Sequence, residues 1–215
     1  MRKVISSRSP GGRAMDALLF PVRALFIHED PILGISSLRD ERMRRVAELC
    51  RGKVLDVGCG RENLFIRRYL GTEDAEGIDV FAYEGVDNVV EDLTRLPFED
   101  ESFDTVTLIA VGGHIPKGQR AGEFREFSRV LRPGGRLIMT EGEPVTQLLL
   151  HKWQAIYYPL MGKVDMDSER GMDEEEEYCM PRKEIELYLN TPPLTLLEHR
   201  RMMWGLNNIY VAERS

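Results

Sequence analysis

The sequence predicts an α/β protein with a doubly wound, mostly parallel sheet between two helix layers and an antiparallel hairpin at its carboxyl end. Three observations carry this. Short aliphatic strands alternate with amphipathic helices from residue 36 to about residue 140, and such alternation builds a parallel sheet covered on both faces. An acid stands at or near the end of three successive strands, at Asp56, Asp79 and Asp92. The last two segments, LTLLEHRRMMWG and NNIYVAER, abandon the alternation and read as two strands around a turn near residues 205–208.

The elements follow in order. Residues 36–52 read as a helix: Ser37 and Asp40 form a capping signal, Leu38, Val46 and Leu49 mark an inner face, and Gly52 stops it. KVLDVGC is a buried strand, ENLFIRRYL a helix ended by Gly71, AEGIDV a second strand, and VDNVVEDL a third finishing at Asp92. DTVTLIAV is a fourth strand. GQRAGEFREFSRVL is an amphipathic helix with Phe124, Phe127, Val130 and Leu131 inward, which RPGG terminates before the fifth strand, GRLIMTE. Residues 143–180 are too long for a simple connection and read as an insert or lid, with aromatic Trp153, Tyr157 and Tyr158 and an acid run from Asp173 to Glu177.

The first 35 residues read as an extension or cap. Ala14, Met15, Leu18, Leu19, Val22 and Leu25 suit one helical face that packs on the domain, and Pro21 kinks or restarts the helix. Few acids and several arginines also give residues 1–28 a transit-peptide character. Domain boundaries of 1–35 and 36–215 follow.

Bulk properties exclude several classes. The 215 residues carry a net charge of -7, which argues against a nucleic-acid groove. No apolar run is long enough to span a bilayer. Cys50, Cys59 and Cys179 are scattered without metal or redox spacing, which predicts reduced thiols, a cytoplasmic setting and no metal site. A homodimer is compatible with this composition.

Right-handed crossovers put the strand carboxyl ends along one rim, where ligands of open α/β sheets bind. Gly58 and Gly60 let backbone approach a ligand closely. Asp79, near the end of the second strand, faces where a ribose diol would lie, and Asp92 is placed to accept from an exocyclic amine. Diol, amine and a small anion describe an adenosine with an amino-acid tail. A glycine turn alone is weak evidence, and three acids at three strand ends are stronger.

VLDVGCG, GIDV, VVEDLTRLPFEDESFDTVTLIAV and RVLRPGGRLIMTE, in that order, make the chain similar to the class I S-adenosylmethionine-dependent methyltransferases of the small-molecule, methyltransferase type 11 kind. The resemblance implies a seven-stranded, three-layer Rossmann-like sheet and S-adenosyl-L-methionine as cofactor. It implies that Asp56, Gly58 and Gly60 hold the methionine end and Asp79 the ribose, with Val80 or Phe81 against the adenine. Asp92 would meet the adenine amine, the Leu93 backbone a ring nitrogen, and Ala110 would lie beneath the sulfonium. His114, in VGGHIP, matches a frequent histidine at the acceptor entrance.

Two departures stand out. Only nine residues separate Asp79 from Val89, so the helix usual between the second and third strands is missing and FAYEGVDN is a loop. Glu62 stands where a third glycine is expected, in the first turn of the following helix; there the dipole favours a carboxylate by about 0.3–1 kcal/mol, and it would attract the cofactor's ammonium. A dinucleotide turn wants a small residue at position 63, where this chain has Asn63, which disfavours an NAD-dependent oxidoreductase.

Methyl transfer from a sulfonium is an in-line displacement in which the protein supplies alignment and excludes water. If the acceptor is a hydroxyl or ammonium, His114 is the first candidate base, with His151 second. His151, Trp153 and Arg170 are candidates for acceptor binding, Arg170 through a carboxylate or phosphate. The expected acceptor is a small molecule, with glycan- or lipid-related compounds included. A methyltransferase fold that binds without catalysis is the alternative.

Overall fold

The computed structural model describes residues 8–71, 74–160 and 176–215. Five strands run parallel: β1 (Val54–Val57), β2 (Ala75–Asp79), β3 (Asn88–Val89), β4 (Phe103–Ile109) and β5 (Leu131–Gly142). The hairpin follows, with β7 (Asn207–Arg214) antiparallel both to β5 and to β6 (Leu194–Met202). Among the described residues these make one seven-stranded sheet of order β3-β2-β1-β4-β5-β7-β6. The parallel sheet and the reversed last strand are as the sequence predicts.

The layers come from strand periodicity. Successive side chains alternate between sheet faces, so Val54 and Ile138 join one apolar cluster while Leu55, Val57 and Leu137 join the other. The first cluster is covered by α3 (Leu38–Leu49) and the helical turn Phe65–Leu70 through Val46, Phe65 and Tyr69. The second is covered by α4 (Arg120–Val130) through Phe124, Phe127 and Val130, and by the later helix that begins at Arg182. All four residues of β1 are buried, which is why VLDV reads as an unbroken apolar run around a single acid.

Several elements differ from expectation. The segment after β1 is no regular helix: Arg61–Asn63 is a short 3-10 turn, and Phe65–Leu70 is π-helical, closed by Gly71 N–H donating to Ile66 O at 3.0 Å. β3 ends at Val89 instead of Asp92, because it pairs with β2 alone and both its residues are exposed. RPGG does not precede β5 but bulges within it: Leu131 pairs with Phe103, and regular pairing resumes at Arg136 opposite Thr105. The capping box of α3 forms as predicted, with Ser37 and Asp40 exchanging hydrogen bonds.

The amino-terminal segment docks by a different face. Pro21 restarts the helix, giving α1 (Pro10–Leu18) and α2 (Phe20–Phe26). The shift in phase leaves Ala14, Met15, Leu18, Val22 and Leu25 exposed and buries Asp16, Phe20, Arg23 and Ile27. Arg23 explains the choice: its guanidinium donates to the carbonyls of Asp16, Ser36 and Ser37 and to Glu41. A buried cation satisfied on all sides outweighs an apolar stripe. The insert opens with α5 (Pro144–Leu160), and α6 (Arg182–Leu189) precedes the hairpin. Arg170 and most of the acid run lie outside the described residues.

Candidate functional site

Two cavities meet at the carboxyl ends of the parallel strands. The first, of about 430 Å³, lies over β1, β2 and β4 and is lined by Gly58, Gly60, Asp79, Val80, Phe81, Leu93, Ala110, His114 and Glu123 among others. The second, of about 380 Å³, lies between α3, α5 and the β5–β7 edge. They share Gly60, Ile109, Ala110 and His114.

The first cavity is a cradle made by backbone. Gly58 sits at φ 69°, where a side chain would strike Val111 within 2.6 Å. Gly60, at φ 67°, has nothing within 4 Å of an added Cβ, so its backbone faces open space. Asp79 fixes this turn: one carboxylate oxygen accepts from the Gly60 N–H at 2.9 Å, the other from the Phe81 N–H at 3.0 Å. Val80, Phe81 and Tyr83 form an adjoining apolar wall. Ala110 adopts φ 57° where the cavities join.

The three rim acids are not equivalent. Asp56 is buried, lines neither cavity and accepts from the Thr107 hydroxyl at 2.6 Å; burial pushes its carboxyl up to about 7. Asp92 is exposed and accepts from the Thr94 N–H at 2.9 Å and from its hydroxyl, which holds its carboxyl below the usual range. It also lines neither cavity; its neighbours Glu91 and Leu93 line the first. Only Asp79 presents its carboxylate there from a strand end.

Glu62 is placed differently from expectation as well. Its backbone is left-handed at φ 63°, so it is not in a first helical turn, and its exposed side chain lines neither cavity. Its N–H instead donates to Glu84 O at 2.6 Å. Asn63 is buried at φ 48°, and its amide donates to Asp87 at 2.7 Å; the same carboxylate accepts from Gly77 N–H at 2.8 Å. The loop predicted over FAYEGVDN forms as far as Asp87, with Asn88 opening β3, and is thereby tied to the turn.

On the acceptor side His114 lines both cavities, with its Nδ1 3.3 Å from Glu176. His151 lines the second cavity and packs on Tyr178 at 4.7 Å between ring centroids. Trp153 does not line it: its indole donates to Leu25 O at 2.8 Å and stacks on Tyr157, holding α5 against α2. Two buried glutamates were not singled out in the sequence. Glu123 lines the first cavity with an unpartnered Oε2, its carboxyl pushed up to about 7 by burial, with Asp92 a secondary cause. Glu141 lines the second, likewise unpartnered at Oε2 and pushed up to about 8 by burial. The signal was an acid on the inward face of a helix and another at the end of an otherwise buried strand.

Comparison with known proteins agrees with the geometry. Residues 55–139 match the methyltransferase domain family. Over 121 residues the chain is 33% identical to a phthiotriol/phenolphthiotriol dimycocerosates methyltransferase of Mycobacterium ulcerans, covering 50% of this chain and 43% of that one. It is 29% identical over 153 residues to a demethylmenaquinone methyltransferase of Staphylococcus aureus, covering 61% and 63%. The chain thus spans less than two thirds of either relative. In structure it resembles a SAM-dependent methyltransferase from Aquifex aeolicus (TM-score 0.56, 11% identity, 97% and 100% covered) and one from Methanosarcina mazei (TM-score 0.53, 20% identity, 79% and 96% covered). The match over residues 55–139, on a fold shared with these structures, supports a domain of the class I S-adenosylmethionine-dependent methyltransferases. The cofactor of that class is S-adenosylmethionine, and the first cavity fits it: the turn is open at Gly60 and a strand-end carboxylate stands beside it.

Proposed function

We propose that the protein transfers a methyl group to a small-molecule acceptor held in the second cavity. The observation that carries this is the junction of the two cavities at Ala110 and His114. In this reading Gly58 and Gly60 hold the methionine end and Asp79 takes the ribose hydroxyls. Val80 and Phe81 cover the adenine, the Leu93 backbone meets its edge, and Glu123 replaces Asp92 as the acidic partner. Asp56 acts from behind, fixing the end of β1 through Thr107. When bound, S-adenosylmethionine supplies a methyl group already activated on a sulfonium.

The chain's own work is alignment and exclusion of water. His114 faces the junction and takes the acceptor's proton where the acceptor is a hydroxyl or ammonium. The mixed lining of the second cavity, with Leu38, Met43 and Leu150 beside Arg42, Gln147 and His151, suits an acceptor with an apolar body and a polar end. The phthiotriol and demethylmenaquinone named for the relatives are consistent with such a shape.

Titration calorimetry with S-adenosylmethionine, S-adenosylhomocysteine and NAD tests the reading. Saturable heat with both sulfur nucleotides and none with NAD is expected. Heat with NAD alone sinks it, and cofactor binding without turnover on hydroxylated lipids and quinols favours a binding protein of the same fold.

A further inference from the structure

Three side chains that line the second cavity carry polar atoms that the protein itself leaves unpaired. Among the described residues, buried side-chain atoms without a hydrogen-bond partner include Arg42 Nε, Glu141 Oε2 and Asn207 Oδ1, and all three residues line this cavity. They come from three elements: Arg42 from α3, Glu141 from the end of β5, and Asn207 from the start of β7, opposite Gly142 and Met202. Glu141 and Asn207 are only 3% and 4% exposed. Gly112 makes room for the carboxyl, since a Cβ there would come within 2.4 Å of Oε2.

Buried polar groups are almost always paired, and each orphan costs free energy. Three side chains that line one cavity and each carry an orphan atom therefore offer a polar ligand its complement when they turn toward it. Arg42 offers a donor, and Asn207 offers an acceptor. Glu141 accepts when ionised and both donates and accepts when protonated. A carboxylate or phosphate brings lone pairs alone, which leave the Asn207 acceptor unpaired in either protonation state of Glu141 and are repelled by Glu141 once it ionises. An ammonium brings donors alone, leaves Arg42 unpaired and is repelled by it. A hydroxyl next to a second oxygen satisfies all three in either protonation state of Glu141.

Resting on the reading of this cavity as the acceptor site, we propose that Arg42, Glu141 and Asn207 form a subsite for a neutral acceptor whose polar end carries a hydroxyl beside another oxygen, as in a catechol or a vicinal diol. Negatively charged and amine acceptors each leave one of the three groups unpaired and bind less well.

Three one-ring probes differing only in the polar end test this on the full chain saturated with S-adenosylhomocysteine: catechol, benzoate and benzylamine, followed by ligand-observed NMR and calorimetry. Catechol should bind saturably and roughly tenfold or more tighter than the other two, a difference of about 1.4 kcal/mol. Glu141→Leu and Arg42→Met should each weaken catechol roughly tenfold, while Glu141→Gln, which keeps an acceptor and a donor, loses much less. Affinity for S-adenosylhomocysteine, measured in the same samples, should be unchanged and reports that each variant is folded. The proposal is overturned if benzoate or benzylamine matches catechol, if no probe saturates, or if catechol binds the Leu and Met variants like the parent. Failure of S-adenosylhomocysteine to bind the parent chain would instead count against the methyltransferase reading.

Discussion

At the residue scale, Asp56, Asp79 and Asp92 looked alike in the sequence because each ends a strand. What separates them is local. Asp56 shares its side of β1 with Val54, two residues away, and turns into the sheet toward Thr107. Asp92 lies three residues past a strand that has already ended and closes its own turn on Thr94. Asp79 alone faces the cavity, and both its oxygens are aimed by backbone N–H groups of the turns it borders. Asp79→Ala should therefore weaken S-adenosylmethionine by roughly 1–3 kcal/mol, since it removes both the turn's anchor and the diol's partner. Asp92→Ala should change that affinity by less than about 0.5 kcal/mol. Calorimetry on the two variants decides it, and equal losses would restore Asp92 to the adenine. Glu123→Ala should weaken the adenine end, with S-adenosylmethionine losing more affinity than methionine does, as competition binding can measure. The strand-end acids were legible from spacing. Which one points inward was not, because that depends on where each strand stops and on which side of the pleat the acid falls.

At the element scale, the turn after β1 and the loop of residues 80–87 form one unit. Two successive non-glycine residues, Glu62 and Asn63, are left-handed there, at about 1–2 kcal/mol each for an L side chain. The Asn63–Asp87–Gly77 bonds and the Glu62 N–H to Glu84 O contact offset that strain. Glu62 thus matters through its backbone, and a helix-dipole role expected from its position does not arise. Asp87→Ala should cost roughly 1–2 kcal/mol of stability and also lower cofactor affinity, because the loop carries Val80, Phe81 and Tyr83 of the cavity wall. Urea unfolding with and without S-adenosylhomocysteine separates the two effects; loss of stability with unchanged affinity would detach the loop from the site. A second unit is centred on Arg120, fully buried on α4, which donates to Ile115 O, Glu177 and Glu184 and so pins the segment after the insert beside His114. Arg120→Met should destabilise by roughly 2–3 kcal/mol; a wholly buried pair would give more, but both carboxylates are partly exposed. The absent helix between β2 and β3 was legible from nine residues of spacing. The polar contacts that replace it were not, since they join residues far apart in sequence.

At the scale of the whole molecule, the sheet order and the paired layers were legible because strand and helix periods differ sharply. The docking face of residues 10–27 was not, because one buried arginine overrode the apolar stripe. Equally hidden was the way the fold encloses several acids, and this has a consequence for stability against pH. Burial raises the carboxyls of Asp56 and Glu123 to about 7 and of Glu141 to about 8. The unfolded chain releases these protons near pH 4, while the native state keeps them. Their contribution to stability is therefore fully present at pH 4 and is lost as pH rises through 7 to 8. Asp16, Glu126 and Glu177 act oppositely but lower, their carboxyls held below the usual range in spite of burial by Arg8, Arg129, and Lys117 with Arg120; what they add is lost only as pH falls below about 4. The melting temperature should then decline between pH 5 and about 8.5. Glu141 faces the guanidiniums of Arg42 and Arg120 and the N–H groups of Gly113 and Gly142, and all four favour its charged form without overcoming burial. Glu141→Gln, neutral at every pH, should flatten the decline across the window, most visibly above pH 7 where Asp56 and Glu123 no longer contribute. Scanning calorimetry of both chains at matched ionic strength provides the comparison: curves that run parallel across this window would mean that Glu141 is already ionised in the native protein at neutral pH.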